Sequence, residues 1–220
     1  MVKTLISYVC TLMLVLVACV SLAGETEAVQ QDDKAQLRQL VAKITSFEAQ
    51  FTQQVKDVDG KVLMEGQGQV MLAQPALIRW HAVTPDENMM VSDGKTLWVH
   101  NVDLEQVTII DAKNAIDSTP FALLTSADDG LWQDYQVVKQ GDEYQIKPHQ
   151  PKGQVKQLNV KLADHQFTQL TIVDVSGQQS MFTFSEAKHN HNLASKWFTF
   201  VLPAGVEVDD QRAQKAPKVP

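Results

Sequence analysis

The spacing of apolar positions changes character twice along this chain. From Leu5 to Val20 the residues are apolar almost without interruption, after a single charge at Lys3. Residues 24–34 are polar, with Glu25, Glu27, Gln30, Gln31, Asp32 and Asp33, and read as a loose segment. Leu37, Leu40, Val41 and Ile44 then recur at three-one-three spacing, which predicts one face of an amphipathic helix, with Asp32 or Asp33 placed to cap it. From Phe47 onward the period becomes two. Phe47, Ala49, Phe51 and Val55 alternate with Glu48, Gln50, Thr52 and Gln54. Val62, Met64, Gly66, Gly68, Val70 and Leu72 alternate with Glu65, Gln67 and Gln69. Such alternation predicts strands with one wet face. Gly66 and Gly68 fall on the apolar side, where a glycine marks a bend or a close approach to the backbone.

The same rhythm continues through Leu77–Thr84, Met89–Ser92, Thr96–Asn101, Val107–Ile110, Tyr135–Val138, Tyr144–Lys147, Val155–Leu162, Phe167–Val173, Met181–Phe184 and Trp197–Leu202. Asp93-Gly94 reads as a tight hairpin turn. The expected result is ten or eleven short antiparallel strands in one domain covering residues 24–220, with 211–220 a frayed polar tail. Residues 112–126 break the rhythm. Ser118 or Thr119 can cap a short helix with Pro120 in its first turn and Phe121 and Leu124 on one face. Two short helices and a curved sheet therefore make a mainly β, α+β fold.

The first segment has the three-part layout of a secretory signal, closed by Ser21-Leu22-Ala23. Leu16-Val17-Ala18-Cys19 also fits the pattern that directs lipidation of a cysteine, though Val20, Leu22 and Ala23 prolong the apolar run beyond it. Both cysteines, Cys10 and Cys19, lie in this segment, so a chain starting at Gly24 carries no thiol chemistry. The expected location is the periplasm of a Gram-negative cell.

Composition excludes more than it identifies. The 220 residues are 44% hydrophobic and 20% charged, with a net charge of −7, ordinary for a globular chain. The acidic balance argues against nucleic acid and against simple adsorption to anionic lipid. Asp93-Gly94-Lys95-Thr96 has Met89 where a phosphate loop needs glycine. Asp57-Val58-Asp59-Gly60 lacks the flanking ligands of a calcium loop. His189-Asn190-His191 and the acidic pairs Asp128-Asp129 and Asp209-Asp210 read as polar loops and turns. No spacing assembles a nucleophile with a base, so no cofactor, no metal and no enzymatic activity are expected, and binding is the default. Many large apolar groups remain, among them Trp80, Trp98, Phe182 and Phe200, enough for a core or for a lined cavity.

Specific motifs narrow this further. Phe47-x-Ala49-x-Phe51-Thr52-Gln53, Glu65-Gly66-Gln67-Gly68, Pro75, Trp80, Pro85-Asp86-Glu87, Ser92-Asp93-Gly94-Lys95-Thr96-Leu97-Trp98, Thr119-Pro120-Phe121 and Gly205-Val206-x-Val208-Asp209 follow one another in an order and spacing that resembles the LolA family of outer-membrane lipoprotein carriers. The resemblance implies an incomplete antiparallel β-barrel with helices as a lid over a hydrophobic cavity. It implies a monomeric periplasmic chaperone that takes lipoproteins from an inner-membrane ABC transporter and passes them to an outer-membrane receptor. A membrane-anchored receptor of the same fold, lipidated at Cys19, is the alternative. Strand parity and the helix faces assign Leu37, Val41, Phe47, Ile78, Trp80, Met90, Phe121 and Leu124 to the acyl-chain cavity. In the resembled family a basic residue before the proline latches the lid; Gln74 holds that place here.

The signal layout makes a direct prediction. The mature protein should begin at Gly24 and fractionate with soluble periplasmic contents when its N-terminus is read by mass spectrometry. A lipid-bearing N-terminal Cys19 would overturn the carrier expectation in favour of the receptor.

Overall fold

Alternating apolar residues commit most of this chain to strands, and the strands join edge to edge into one twelve-stranded sheet. We describe it from a computed structural model that covers residues 21–117, 122–125, 129–150, 153–164 and 166–212. In chain order, α1 (Ser21–Ala42) precedes β1 (Ser46–Lys56), β2 (Val62–Ala73), β3 (Leu77–Thr84), β4 (Asn88–Asp93), β5 (Thr96–Asn101) and β6 (Gln106–Asp111). Two short helices, α2 (Ala112–Asp117) and α3 (Ala122–Thr125), interrupt the strands. Then come β7 (Tyr135–Gln140), β8 (Glu143–Pro148), β9 (Val155–Ala163), β10 (Gln166–Asp174), β11 (Gln179–His189) and β12 (Glu207–Asp210). The sheet order is β12-β6-β5-β4-β3-β2-β1-β11-β10-β9-β8-β7. This open sheet fits the incomplete barrel that the family resemblance implies.

Register explains the two faces. Val70, Trp80, Met90 and Val99 are successive cross-strand neighbours on β2 to β5 and share the inner face. One residue along, Met71, Arg79, Val91, Trp98 and Ile109 form the neighbouring row on the outer face. The inner face joins the main core, with Phe47, Phe51, Val70, Leu158 and Val160 nearly inaccessible. Met71, Val91, Val107 and Ile109 are also buried, outside that core cluster. A strap formed by residues 191–206 accounts for their cover: its 3-10 turn Ser195–Phe198 packs on β3 and β4, Phe198 is buried, and Phe200 stacks on Trp98 at 5.9 Å.

Three expectations are corrected. Residues 24–34 are helical rather than loose, because α1 begins at Ser21; Gly24 is the only helix breaker in a stretch otherwise compatible with a helix. Asp33 therefore lies inside the helix rather than capping it. Trp197–Leu202 forms no strand, since its aromatic side chains cover a sheet face while its backbone stays outside the ladder. The last strand is instead β12, reached through Gly205 at φ +87°, and it pairs parallel to β6. Ser118, Thr119, Pro120 and Phe121 lie outside the described residues.

Curvature depends on close approach at Gly68. Its partner strand skips Val83 there, so Gln67 faces Thr84 while Gly68 faces Ala82. A Cβ at Gly68 would collide with the His81 carbonyl oxygen and sit 2.6 Å from Phe51 Cζ. Backbone oxygen cannot rotate away as a flexible side chain can. Gly68→Ala should therefore destabilise the fold by about 1–3 kcal/mol, the range for overpacking a full core. Urea unfolding checks it: an unchanged midpoint would mean that the two strands separate at no cost.

Candidate functional site

The inner face does not fill the space it encloses. A cavity of about 420 Å³ lies against Ile78, Trp80 and Ala82 of β3, Met90 of β4, Val99 of β5 and Phe182 of β11. Leu170 and Ile172 of β10 continue its wall, Ala115 of α2 covers it, and the polar Gln53 and Asn88 also border it. That volume falls within the range of small-molecule binding sites, and apolar walls with few polar groups are their usual character. Three rings make the floor: Phe51 lies 4.8 Å from Trp80, and Phe182 meets both edge-on at 5.5 and 4.8 Å. Such edge-to-face packing fixes ring positions without polar partners.

A narrow seam adjoins the cavity. Only about 20 Å³ remains between Leu124 of α3 and a surface of Phe47, Trp80, Phe167 and Phe184. That is little more than the roughly 10–15 Å³ needed to hold one water molecule. The inserted helix thus seals the sheet directly, and anything larger entering here must displace Leu124.

The sequence-derived site residues separate into groups. Ile78, Trp80 and Met90 line the large cavity. Phe47 and Leu124 line the seam, with Trp80 shared between the two. Leu37 and Val41 are buried at 0% and 4% exposure but line neither, because α1 packs along β7. Phe121 lies outside the described residues. Ala82, Val99, Leu170, Ile172 and Phe182 were missed, although Ala82 shares the parity of Ile78 and Trp80. Val99 is the direct neighbour of Met90, which only the register reveals.

Gln74 bonds to the segment that follows α1. Its Nε2 donates to the Ile44 carbonyl at 3.2 Å, and its backbone N–H donates to Thr45 O at 3.0 Å. Among the described residues it therefore holds the connection between α1 and β1, and Gln74 and Leu124 also border one tight crevice of about 10 Å³. Arg79 lies on the outer face, 5.7 Å from the Trp197 ring centroid, where its parity places it.

Comparison with known proteins matches residues 42–201 to the outer membrane lipoprotein carrier protein LolA family. A protein of Shewanella loihica named outer-membrane lipoprotein carrier protein is 39% identical, covering 96% of this chain and 98% of its own. A protein of the same name from Pseudoalteromonas translucida is 40% identical over 82% of this chain and 88% of its own. This chain belongs to the LolA family. Among solved structures, a LolA superfamily protein from Nitrosomonas europaea aligns at a TM-score of 0.44 and 13% identity, over 78% of this chain and 98% of that one.

Beneath the seam, this LolA-family chain carries a histidine in apolar surroundings. His189, expected in a polar loop, ends β11 with its ring 5.0 Å from Phe47 and 6.4 Å from Phe167. Neither ring nitrogen meets a hydrogen-bond partner among the described residues. Burial, and secondarily the nearby His191, holds its pKa below the usual histidine value. The unfolded chain then binds the proton more readily than the folded one. The contribution of His189 to stability is complete above the unfolded pKa of about 6.5 and is lost as pH falls through that value towards the lower folded one. Melting temperatures should fall between about pH 7.5 and pH 5, and His189→Phe should flatten part of that slope. Identical slopes for both proteins would exclude His189 as a contributor.

Proposed function

We propose that this protein is a periplasmic carrier that shelters the acyl chains of lipoproteins while they cross between membranes. The observation that carries the reading is the apolar cavity of about 420 Å³ walled by Ile78, Trp80 and Met90 within the curved sheet. Membership of the LolA family supports it. Burying one methylene contributes about 0.8 kcal/mol, so several acyl chains amount to tens of kcal/mol of aversion to water. Free diffusion of such cargo through an aqueous compartment is impractical, and a shelter removes that barrier.

Within this reading, cargo enters from an inner-membrane ABC transporter and leaves to an outer-membrane receptor, as the family resemblance implies. The chain itself supplies no chemistry and needs only differential affinity. Empty, it closes Leu124 onto Phe47 and Phe167; loaded, acyl chains replace those contacts. The sealed seam supports this division, because cargo must displace Leu124 to reach the sheet beneath. Gln74 favours the closed state by holding the α1–β1 connection. A neutral amide there bonds about half as strongly as a charged donor would, so closing is only modestly favoured. Ready closing helps discharge, since it expels the acyl chains.

The assay is extraction of a triacylated lipoprotein from inner-membrane vesicles, followed by transfer to the receptor. Trp80→Glu buries a charge in the cavity at a cost of several kcal/mol to binding and should remain folded yet extract nothing. Gln74→Leu should extract normally and release slowly, with a several-fold lower transfer rate. Normal extraction by folded Trp80→Glu would refute the cavity as the cargo site.

A further inference from the structure

The connection between α1 and β1 is held from two sides, and only one of them lies in the β2–β3 turn. The second is Asn190, just past the end of β11. Its Nδ2 donates to Lys43 O at 2.8 Å, and its Oδ1 accepts from Thr45 N at 2.8 Å and from Thr45 Oγ1 at 3.2 Å. Its own N–H donates to Ser46 O at 2.9 Å. Ser46 Oγ then donates to His191 O at 2.7 Å. Asn190 sits at φ +55°, a left-handed conformation that asparagine tolerates better than most residues.

Together with Gln74 this closes the account for the connection. Lys43 N and Ile44 N bond back to Leu40 O and Val41 O. Lys43 O and Thr45 N go to Asn190; Ile44 O and Thr45 O go to Gln74. No backbone polar group from Lys43 N to Thr45 O lacks a partner. The two clamping side chains come from opposite neighbours of β1 in the sheet, β2 and β11. Elsewhere α1 is tied by polar contacts to β7 and β8: Asp33 accepts from Lys139 N at 2.8 Å, and Gln36 accepts from Tyr144 OH at 2.7 Å. Those contacts can exchange with water one at a time. A swing of α1 off the sheet must instead break the clamp at its C-terminal end.

We propose that Asn190 is a positioning residue for cargo release, the counterpart of Gln74, and that the pair sets how readily α1 pivots away from the sheet. This rests on the carrier reading above. Removing the Asn190 side chain frees Lys43 O and Thr45 N, loosens the pivot and lengthens the time spent open, so cargo is held longer. Because both side chains restrain one short segment, their effects should not add: once either is gone, the pivot is already free.

Asn190→Gly is the informative variant, since glycine keeps the left-handed backbone and loses every side-chain bond. Two readouts are needed on the processed full-length chain. Amide hydrogen exchange at residues 43–46 reports the pivot without any cargo. Transfer of a fluorescent triacylated lipopeptide from loaded protein to phosphatidylethanolamine vesicles reports release. Asn190→Gly should speed exchange at residues 43–46 and leave β9 and β10 unchanged. Its transfer should be roughly five- to tenfold slower, the consequence of losing about one or two net hydrogen bonds. Asn190→Asp, which keeps the acceptor for Thr45 N, should fall between. The Gln74→Leu, Asn190→Gly double variant should transfer no more slowly than the slower single variant.

Unchanged exchange at residues 43–46 would overturn the clamp. Faster exchange with wild-type transfer would overturn its role in release, as would additive effects in the double variant. Exchange that rises uniformly across the sheet would reduce Asn190 to general stability. If wild-type protein takes up no lipopeptide, the carrier reading fails, and the exchange experiment still decides the clamp.

Discussion

An apolar surface kept partly unfilled is the constraint on which this molecule turns. A closed core would bring Trp80, Met90 and Phe182 into contact with further side chains; here they border a void instead. Every atom on such a wall forgoes dispersion contacts it would have in a packed interior. The fold offsets that cost nearby. Phe51, Trp80 and Phe182 brace one another through close ring contacts, and the Gly68 approach pulls β3 against Phe51. The rigid floor lets the remaining space persist rather than collapse.

The sheet carries a second apolar layer on its other side. Val91 and Val107 are fully buried there, as the strap through Phe198 and Phe200 crosses the outer face. Strands β3 to β5 are thus supported from outside, and the inner face is relieved of supplying all of their stabilisation. This separation of duties permits one face to be loose while its backbone remains ordered. The inserted helices α2 and α3 are short, and their Ala115 and Leu124 border the inner-face spaces, away from the outer layer.

Much of this architecture is legible in the sequence, and the boundary of what is legible is physical. Phe47, Ala49 and Phe51 alternate so cleanly that β1 and its buried face follow directly. Asp93-Gly94 marks the β4–β5 turn, and the parity of Ile78 and Trp80 places them inside. Alternation reports one-sided burial, however, and not ladder pairing. Phe198 and Phe200 are covered on one side like strand residues, yet they belong to a strap. Leu37 and Val41 show a helical face without naming the strand that receives it, and that strand is β7. The clamp is illegible for another reason: Gln74 and Asn190 are far apart in sequence and ordinary in type, and only the adjacency of β2, β1 and β11 brings them to one segment.

The edges of the sheet have a bearing on how such a molecule survives in a crowded compartment. A protein that opens a greasy face in solution risks adhering to its own copies, and an unpaired outer strand would supply the template for growth. Each end of this sheet is guarded by acidic side chains. At β7 the Lys139 amide is taken by the Asp33 carboxylate, which imitates the oxygen of an incoming strand. At β12 the final strand is Glu207-Val208-Asp209-Asp210, exposed throughout, so a second copy approaching in register would set carboxylates against carboxylates. Resistance to growth by strand addition is thereby placed at the two margins of the sheet, away from the cavity wall.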